Sequence, residues 1–419
     1  MDTDIFEQRE SEIRGYCRAY PTVFVSASNA RQADEEGRSY IDFFAGAGAL
    51  NFGHNDPNMK RALIEFIERD GIAQSLDMYT DVKRDFVQAF VRTILEPREM
   101  DHKLQFVGPT GSNAVEAAIK LARKVTGRHH VVAFSNGFHG MTLGSLALTA
   151  NEYFRQAAGV PLEHVVRMPF ETMPGGTDAL EHYAAALRDP SSGQLPPAAF
   201  VVEVIQAEGG VNVASEGWLR AIQDLAHEHD ALFIIDDIQA GMGRTGSFFS
   251  FDGMDLQPDV VILAKGLGGF GTPIAMNLIR PELDARWKPG EHTGTFRGQG
   301  ISFVAGRVAL SYFEDDELMA AVATKGERMR ASLEAIADAH ADRGWKVRGR
   351  GMMQALDVVD GALAKAIQQA AFESGLLFGP CGSGGRVCKL IPPLSIPDDD
   401  LDEGLALFEK AVATAVAGA

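Results

Sequence analysis

The chain reads as an α/β protein, with a mostly parallel sheet in a large domain and a smaller α+β domain made from both chain ends. Three observations predict this. From Leu104 onward, apolar runs of strand length alternate with helical stretches, in LQFVGPTGSNAVEAAIKLARKV, HHVVAFSNGFHGMT, AAFVVEVIQAEGG and LRAIQDLAHEHDALFIID. Such alternation indicates crossover helices laid over a parallel sheet. Two runs rich in β-branched residues, Leu232–Ile235 and Val260–Leu263, have the length of buried strands and lead to the charges Asp236 and Lys265. After about residue 300 the alternation gives way to long helices and short strands (KVRGRGMMQALDV, VCKLIPPLSI) before a C-terminal helix.

In chain order, residues 4–20 read as a helix leading into a strand at Val23–Val25. DEEG reads as a hairpin turn before the strand SYIDFF. In FAGAGALNFGHNDP, Gly46, Gly48 and Gly53 would let backbone approach a neighbour closely, either a substrate or a packed helix. Pro57 is placed as a first helical residue with Asp56 as its cap, in an amphipathic helix running to about Asp70. A second helix starts near Asp81, and SSGQLPP near residue 191 is a surface loop rather than a linker. A chain of 419 residues exceeds a usual single core. The expected partition is therefore residues 61–305 for the large domain, with 1–60 and 306–419 forming the small one.

The composition, 46% hydrophobic and 23% charged, is that of an ordinary globular protein. A net charge of −18 argues against nucleic-acid binding. No apolar run approaches a membrane span, and MDTDIFEQRE is too acidic for a signal peptide, so a cytoplasmic location is expected. Cys17, Cys381 and Cys388 form no CxxC pair. HEH at 227–229 and His129–His130 lack metal-ligand spacing, so no metal site is expected.

Asp236 and Lys265 carry the chemistry. In open α/β sheets the carboxyl ends of strands face the ligand crevice, so an acid and a lysine converge there from two strands. Desolvation lowers a lysine's pKa enough for it to condense with a carbonyl. A pyridoxal phosphate enzyme needs such a lysine, plus an acid that keeps the pyridine nitrogen protonated. A turn-capping Asp236 and a solvated Lys265 are equally compatible with these two residues alone. GPTGSNAVEAAIKLAR follows a strand and opens a helix, so Gly108, Gly111 and Ser112 would offer an anion site. Without the GK[ST] of a P-loop, that site suits a single phosphate. In GFHGM, Phe138 could lie flat on a planar ring, or be core. Gly266, Gly268 and Gly271 spell GxGxxG, but Pro273 and a β-rich run follow where a dinucleotide fold needs a helix.

The motifs GPTGSNAVEAAIKLAR, GFHG, EVIQAEGG, IDDIQAGMGRTG, LAKGLGG, GTFRG and KLIPPL occur in the order and spacing of the class III (ω-amino acid) pyridoxal phosphate transaminases, which the chain resembles over nearly its whole length. The resemblance implies the fold type I architecture, pyridoxal 5′-phosphate as cofactor, and a homodimer or homotetramer with shared sites. It makes Lys265 the lysine that binds the cofactor and shuttles protons, and Asp236 the partner of the pyridinium nitrogen. It puts Gln239 at the phenolic oxygen, Phe138 on the ring, and Gly111 and Ser112 in a phosphate cup completed by Thr295 of a neighbouring subunit. His139 and Glu203 join the cofactor-binding set. Glu208 falls where the family pairs a carboxylate with the residue that binds the α-carboxylate.

Two positions depart from the family pattern. Lys389 stands three residues before PPL where an arginine is usual, and Met141 follows the aromatic-His-Gly where many members carry arginine. With FFAGAGALNFGHNDP, LDMYT and GTFRG, these departures resemble a branch that moves the amino group of L-glutamate onto the aldehyde carbon of L-aspartate 4-semialdehyde. Other ω-amine donors such as ornithine or GABA, a pyridoxal-dependent aminomutase, and an NAD-dependent dehydrogenase are the alternatives.

Overall fold

The computed structural model describes residues 3–418; Met1, Asp2 and Ala419, which the expected small domain includes, lie outside the described residues. Its centre is a seven-stranded sheet in the order Lys103–Gly108, Ala275–Ile279, Val260–Leu263, Leu232–Asp236, Ala199–Val202, Val131–Phe134 and Val165–Met168. Only Ala275–Ile279 runs antiparallel to its neighbours. Both faces are buried, which explains why the strands read as continuous apolar runs. Phe233, Ile235, Val261 and Leu263 pack into one core, and the alternating Leu232, Ile234, Val260 and Ile262 pack into another on the opposite face.

The two chain ends fold together. Leu376–Leu377 joins the sheet of Phe24–Ser28, Arg31–Asp34 and Ser39–Asp42, pairing parallel with Ile41 and Asp42. A second four-stranded sheet holds Lys346–Arg350, Met353–Asp357, Val387–Leu390 and Gly379–Cys381. Ile41 and Phe43 share one core with Leu356, Phe378, Leu390 and Phe408. The Pro57–Glu68 helix is capped as its sequence indicates, Asp56 accepting from the N–H groups of Asn58 and Met59 at 3.0 and 2.9 Å.

The N-terminal stretch differs from expectation. Residues 4–20 form two short helices, Asp4–Arg9 and Tyr16–Ala19, and the strand that follows is Phe24–Ser28. Neither helix buries a residue, so no packed face rewards a continuous one. Arg14 instead folds back onto Glu7 at 3.2 Å. Among the described residues no helix is long and apolar enough to cross a membrane.

Arg244 ties the parts together. It is wholly buried, and its guanidinium donates to the carbonyls of Met352 (3.2 Å) and Pro392 and to Asn51 Oδ1 (2.8 Å). Asn51 Nδ2 in turn donates to Met242 O at 2.9 Å. Burial, only partly opposed by the charge of Asp42, pushes the Arg244 pKa down to about 9.

Candidate active site

Ile262 lies opposite Asp236 in the parallel ladder, so Lys265, three residues further on, leaves the same carboxyl edge of the sheet as the acid. Lys265 takes a left-handed φ of +50°, a conformation that costs a side-chain-bearing residue energy and that clusters at functional sites. Desolvation pushes its ammonium pKa down, while Glu208, Asp236 and Glu203 lie within electrostatic reach. Asp236 is buried, with Oδ2 2.7 Å from His139 Nδ1 and Oδ1 accepting from the Ile238 N–H at 3.2 Å. Glu203 accepts from the Phe138 N–H at 3.1 Å. Burial and then the nearby Asp236 charge raise Glu203 well above the ordinary carboxylate range.

Beside this edge begins the helix Gly111–Thr126. Gly140, at φ +130°, approaches so closely that an added Cβ would sit 2.2 Å from Ser112 Oγ, and one on Gly111 would sit 2.7 Å from Ile238 Cδ1. Ser112 Oγ accepts from the Met141 N–H at 3.3 Å. A helix N-terminus closely approached by two glycine-bearing turns, with a hydroxyl at its mouth, suits a phosphate monoester. A buried acid and a desolvated lysine across the same edge suit the ring nitrogen and aldehyde of pyridoxal phosphate. The residues present therefore fit that group.

On the third side Lys389, buried, pairs with Glu208 Oε1, which also accepts from Gln239 Nε2 at 3.0 Å. Gln239 Nε2 donates as well to Ala47 O at 2.6 Å. Burial alone would raise Glu208, but the Lys389 charge, then Lys265, bring it down to about 2. Lys389 is held above its ordinary value chiefly by Glu208, against the opposing effect of burial.

The sign of the resulting pH dependence follows. A depressed acid contributes stability above its unfolded pKa, about 4.3, and loses that contribution as pH falls toward its folded value. Glu208→Gln should therefore lower stability by about 2 kcal/mol at neutral pH, below the roughly 3–5 of wholly buried pairs because Glu208 is only half-buried. The deficit should shrink as pH falls below about 4. Urea unfolding of both proteins across pH checks this, and a pH-independent gap would contradict it.

Comparison with known proteins decides the family. The family model for aminotransferase class-III matches residues 16–412. The chain belongs to the class III aminotransferases. It is similar to a protein of Nocardia farcinica named diaminobutyrate--2-oxoglutarate transaminase, with 48% identity over 100% of this chain and 95% of that one. A protein of the same name from Halomonas elongata is 47% identical over 98% and 99%. A solved ornithine aminotransferase from Toxoplasma gondii, described with partial occupancy of PLP at its active site, superposes with a TM-score of 0.84 at 27% identity, covering 99% of this chain and 94% of that one.

In this aminotransferase, Lys265, Asp236, His139, Glu203, Gln239, Glu208 and Lys389 come together in one network of hydrogen bonds and electrostatic contacts. Gly111 and Ser112 adjoin it through Ile238 and Gly140. Phe138 is half-buried, with its ring centroid 5.8 Å from that of Phe154. Thr295 is exposed near the carboxyl end of the Lys103–Gly108 strand, where a Cβ on the preceding Gly294 would sit 3.0 Å from Val107 O, and its carbonyl accepts from Gln74. Among the described residues it makes no hydrogen bond to Gly111 or Ser112. Sequence reasoning missed the His139–Asp236 contact, since a histidine 97 positions upstream carries no local mark of its partner. It also missed the clamp of Arg244 and Asn51, although RTG and LNFG lie within quoted motifs.

Proposed function

We propose that this class III aminotransferase binds pyridoxal 5′-phosphate and transfers the amino group of L-glutamate to L-aspartate 4-semialdehyde, forming L-2,4-diaminobutyrate and 2-oxoglutarate, a step toward ectoine. The full-length likeness at 48% to a protein named for that reaction carries the reading. Lys265 and Asp236 would hold the ring side of the cofactor, with Phe138, His139, Glu203 and Gln239 around it and Gly111 and Ser112 at its phosphate. Bound there, the cofactor would supply an electron sink for carbanion chemistry. The desolvated ε-amine of Lys265 would carry the proton leaving Cα of glutamate. Asp236, kept in place by His139 and the Ile238 N–H, would hold a proton on the ring nitrogen. Lys389 would draw in the α-carboxylate once Glu208 yields it.

The proposal includes a larger domain over 61–305, a smaller one from both ends, and a cytoplasmic location. It also includes a homodimer or homotetramer in which Thr295 reaches the partner's phosphate site. Support for a second subunit is the apolar surface beside Thr295, where Leu76, Met78, Tyr79 and Phe296 are all exposed. A panel of oxo acids and aldehydes with glutamate as donor, products identified by mass, tests the substrates. The semialdehyde should be the fastest acceptor; faster turnover with the aldehyde of ornithine or of 4-aminobutyrate would overturn the assignment.

A further inference from the structure

A lysine at position 389 leaves a geometric deficit. A guanidinium meets both oxygens of a carboxylate with two parallel N–H groups, whereas an ammonium acts as a point charge about which the carboxylate can pivot. A second donor on the same side would remove that freedom.

Tyr16 is the candidate for that donor. Gly379 is directly opposite Lys389 in the antiparallel ladder, and Phe44 closes over it so tightly that a Cβ on Gly379 would sit 2.8 Å from the ring. The Tyr16 ring lies against the same Phe44, with centroids 5.2 Å apart. From there its phenol is within electrostatic reach of both Glu208 and Lys389. Partial burial, then the Glu208 charge, push its pKa up, so it remains a donor at neutral pH. Tyr20, one turn on, is different: it is buried, and its hydroxyl donates to Phe378 O and accepts from Gln368 Nε2 at 3.2 Å. Among the described residues the Tyr16 hydroxyl has no hydrogen-bond partner, and the side chain is largely exposed. An exposed tyrosine, braced on one face and uncommitted at its hydroxyl, borders Lys389, the cation assigned to a substrate carboxylate.

We propose that Tyr16 is a substrate-binding residue, its hydroxyl donating to the second oxygen of the carboxylate that Lys389 attracts. The N-terminal segment is then a wall of the substrate site, which the sequence would not place there. This rests on the reading of Lys389 and Glu208 as the substrate-carboxylate end of the aminotransferase site.

The test uses the holoenzyme, with glutarate as an unreactive dicarboxylate probe followed by calorimetry, and glutamate kinetics in parallel. Tyr16→Phe keeps the ring on Phe44 and removes only the hydroxyl. It should weaken glutarate binding and raise the glutamate KM roughly tenfold, the effect of one hydrogen bond to a charged group. Its kcat should stay within about twofold and its thermal unfolding should be unchanged. Unaltered glutarate affinity and KM would overturn the proposal, as would a loss matched by lower thermal stability. A wild-type protein inert toward every amino donor would overturn the functional reading instead, and the glutarate comparison would still decide the role of Tyr16.

Discussion

Lys265→Ala should lower kcat by about 10⁴-fold or more, because the variant loses both the amine that carries the proton and the covalent hold on the cofactor. The fold should survive. The Lys265 side chain is only partly buried, makes no hydrogen bond among the described residues, and its ammonium is destabilised where it stands. Alanine also retains the backbone strain at φ +50°, so the loss would belong to the amine and not to a relaxed turn. The decisive readout is reduction with borohydride in the presence of pyridoxal phosphate, followed by peptide mapping. Wild-type protein should carry the added mass on Lys265, and the variant should release the cofactor on denaturation. A variant with normal turnover, or label found on another lysine, would remove Lys265 from the mechanism.

Asp236→Asn should cost about 10²–10³-fold in kcat/KM, the scale of losing one preorganised electrostatic partner. Asparagine is close to isosteric and can still meet His139 Nδ1, 2.7 Å away in the native site, and the Ile238 N–H. What it removes is the negative charge that would hold a proton on the ring nitrogen. Circular dichroism and the urea midpoint should stay near wild type, separating charge from packing. Activity within about tenfold of wild type would show that the nitrogen finds its charge elsewhere. Glu203 is the nearby candidate, and since burial favours its neutral form it should not substitute.

How much of this was legible before folding depends on how local the cause is. The Asp56 cap with Pro57 at the first helical position was readable because cap and helix are adjacent in sequence. The apolar runs at 232–235 and 260–263 were readable because burial on both faces leaves no polar residue in them. The N-terminal helix was misjudged because local propensity there met no core to pack against, and an isolated short helix is marginal in water. Arg244 looked like an ordinary charge in a glycine-rich turn. Its carbonyl partners at 352 and 392 lie more than a hundred positions away.

The sequence by itself determined the chemistry that can occur: a lysine and an acid after buried strands, a helix start that opens on glycine, and a lysine where a fork-shaped cation is usual. The first two follow from residue type and short-range spacing and the third from the resemblance to the family, all of which the chain carries whether folded or not. Only the tertiary structure decided which groups act on one another. His139 meets Asp236, Glu208 is shared between Gln239 and Lys389, and the N-terminal Tyr16 comes to stand beside a strand from the far end of the chain. The reason is physical: charge-to-charge energies fall with distance through space and are strengthened by desolvation, and neither quantity exists until the core closes.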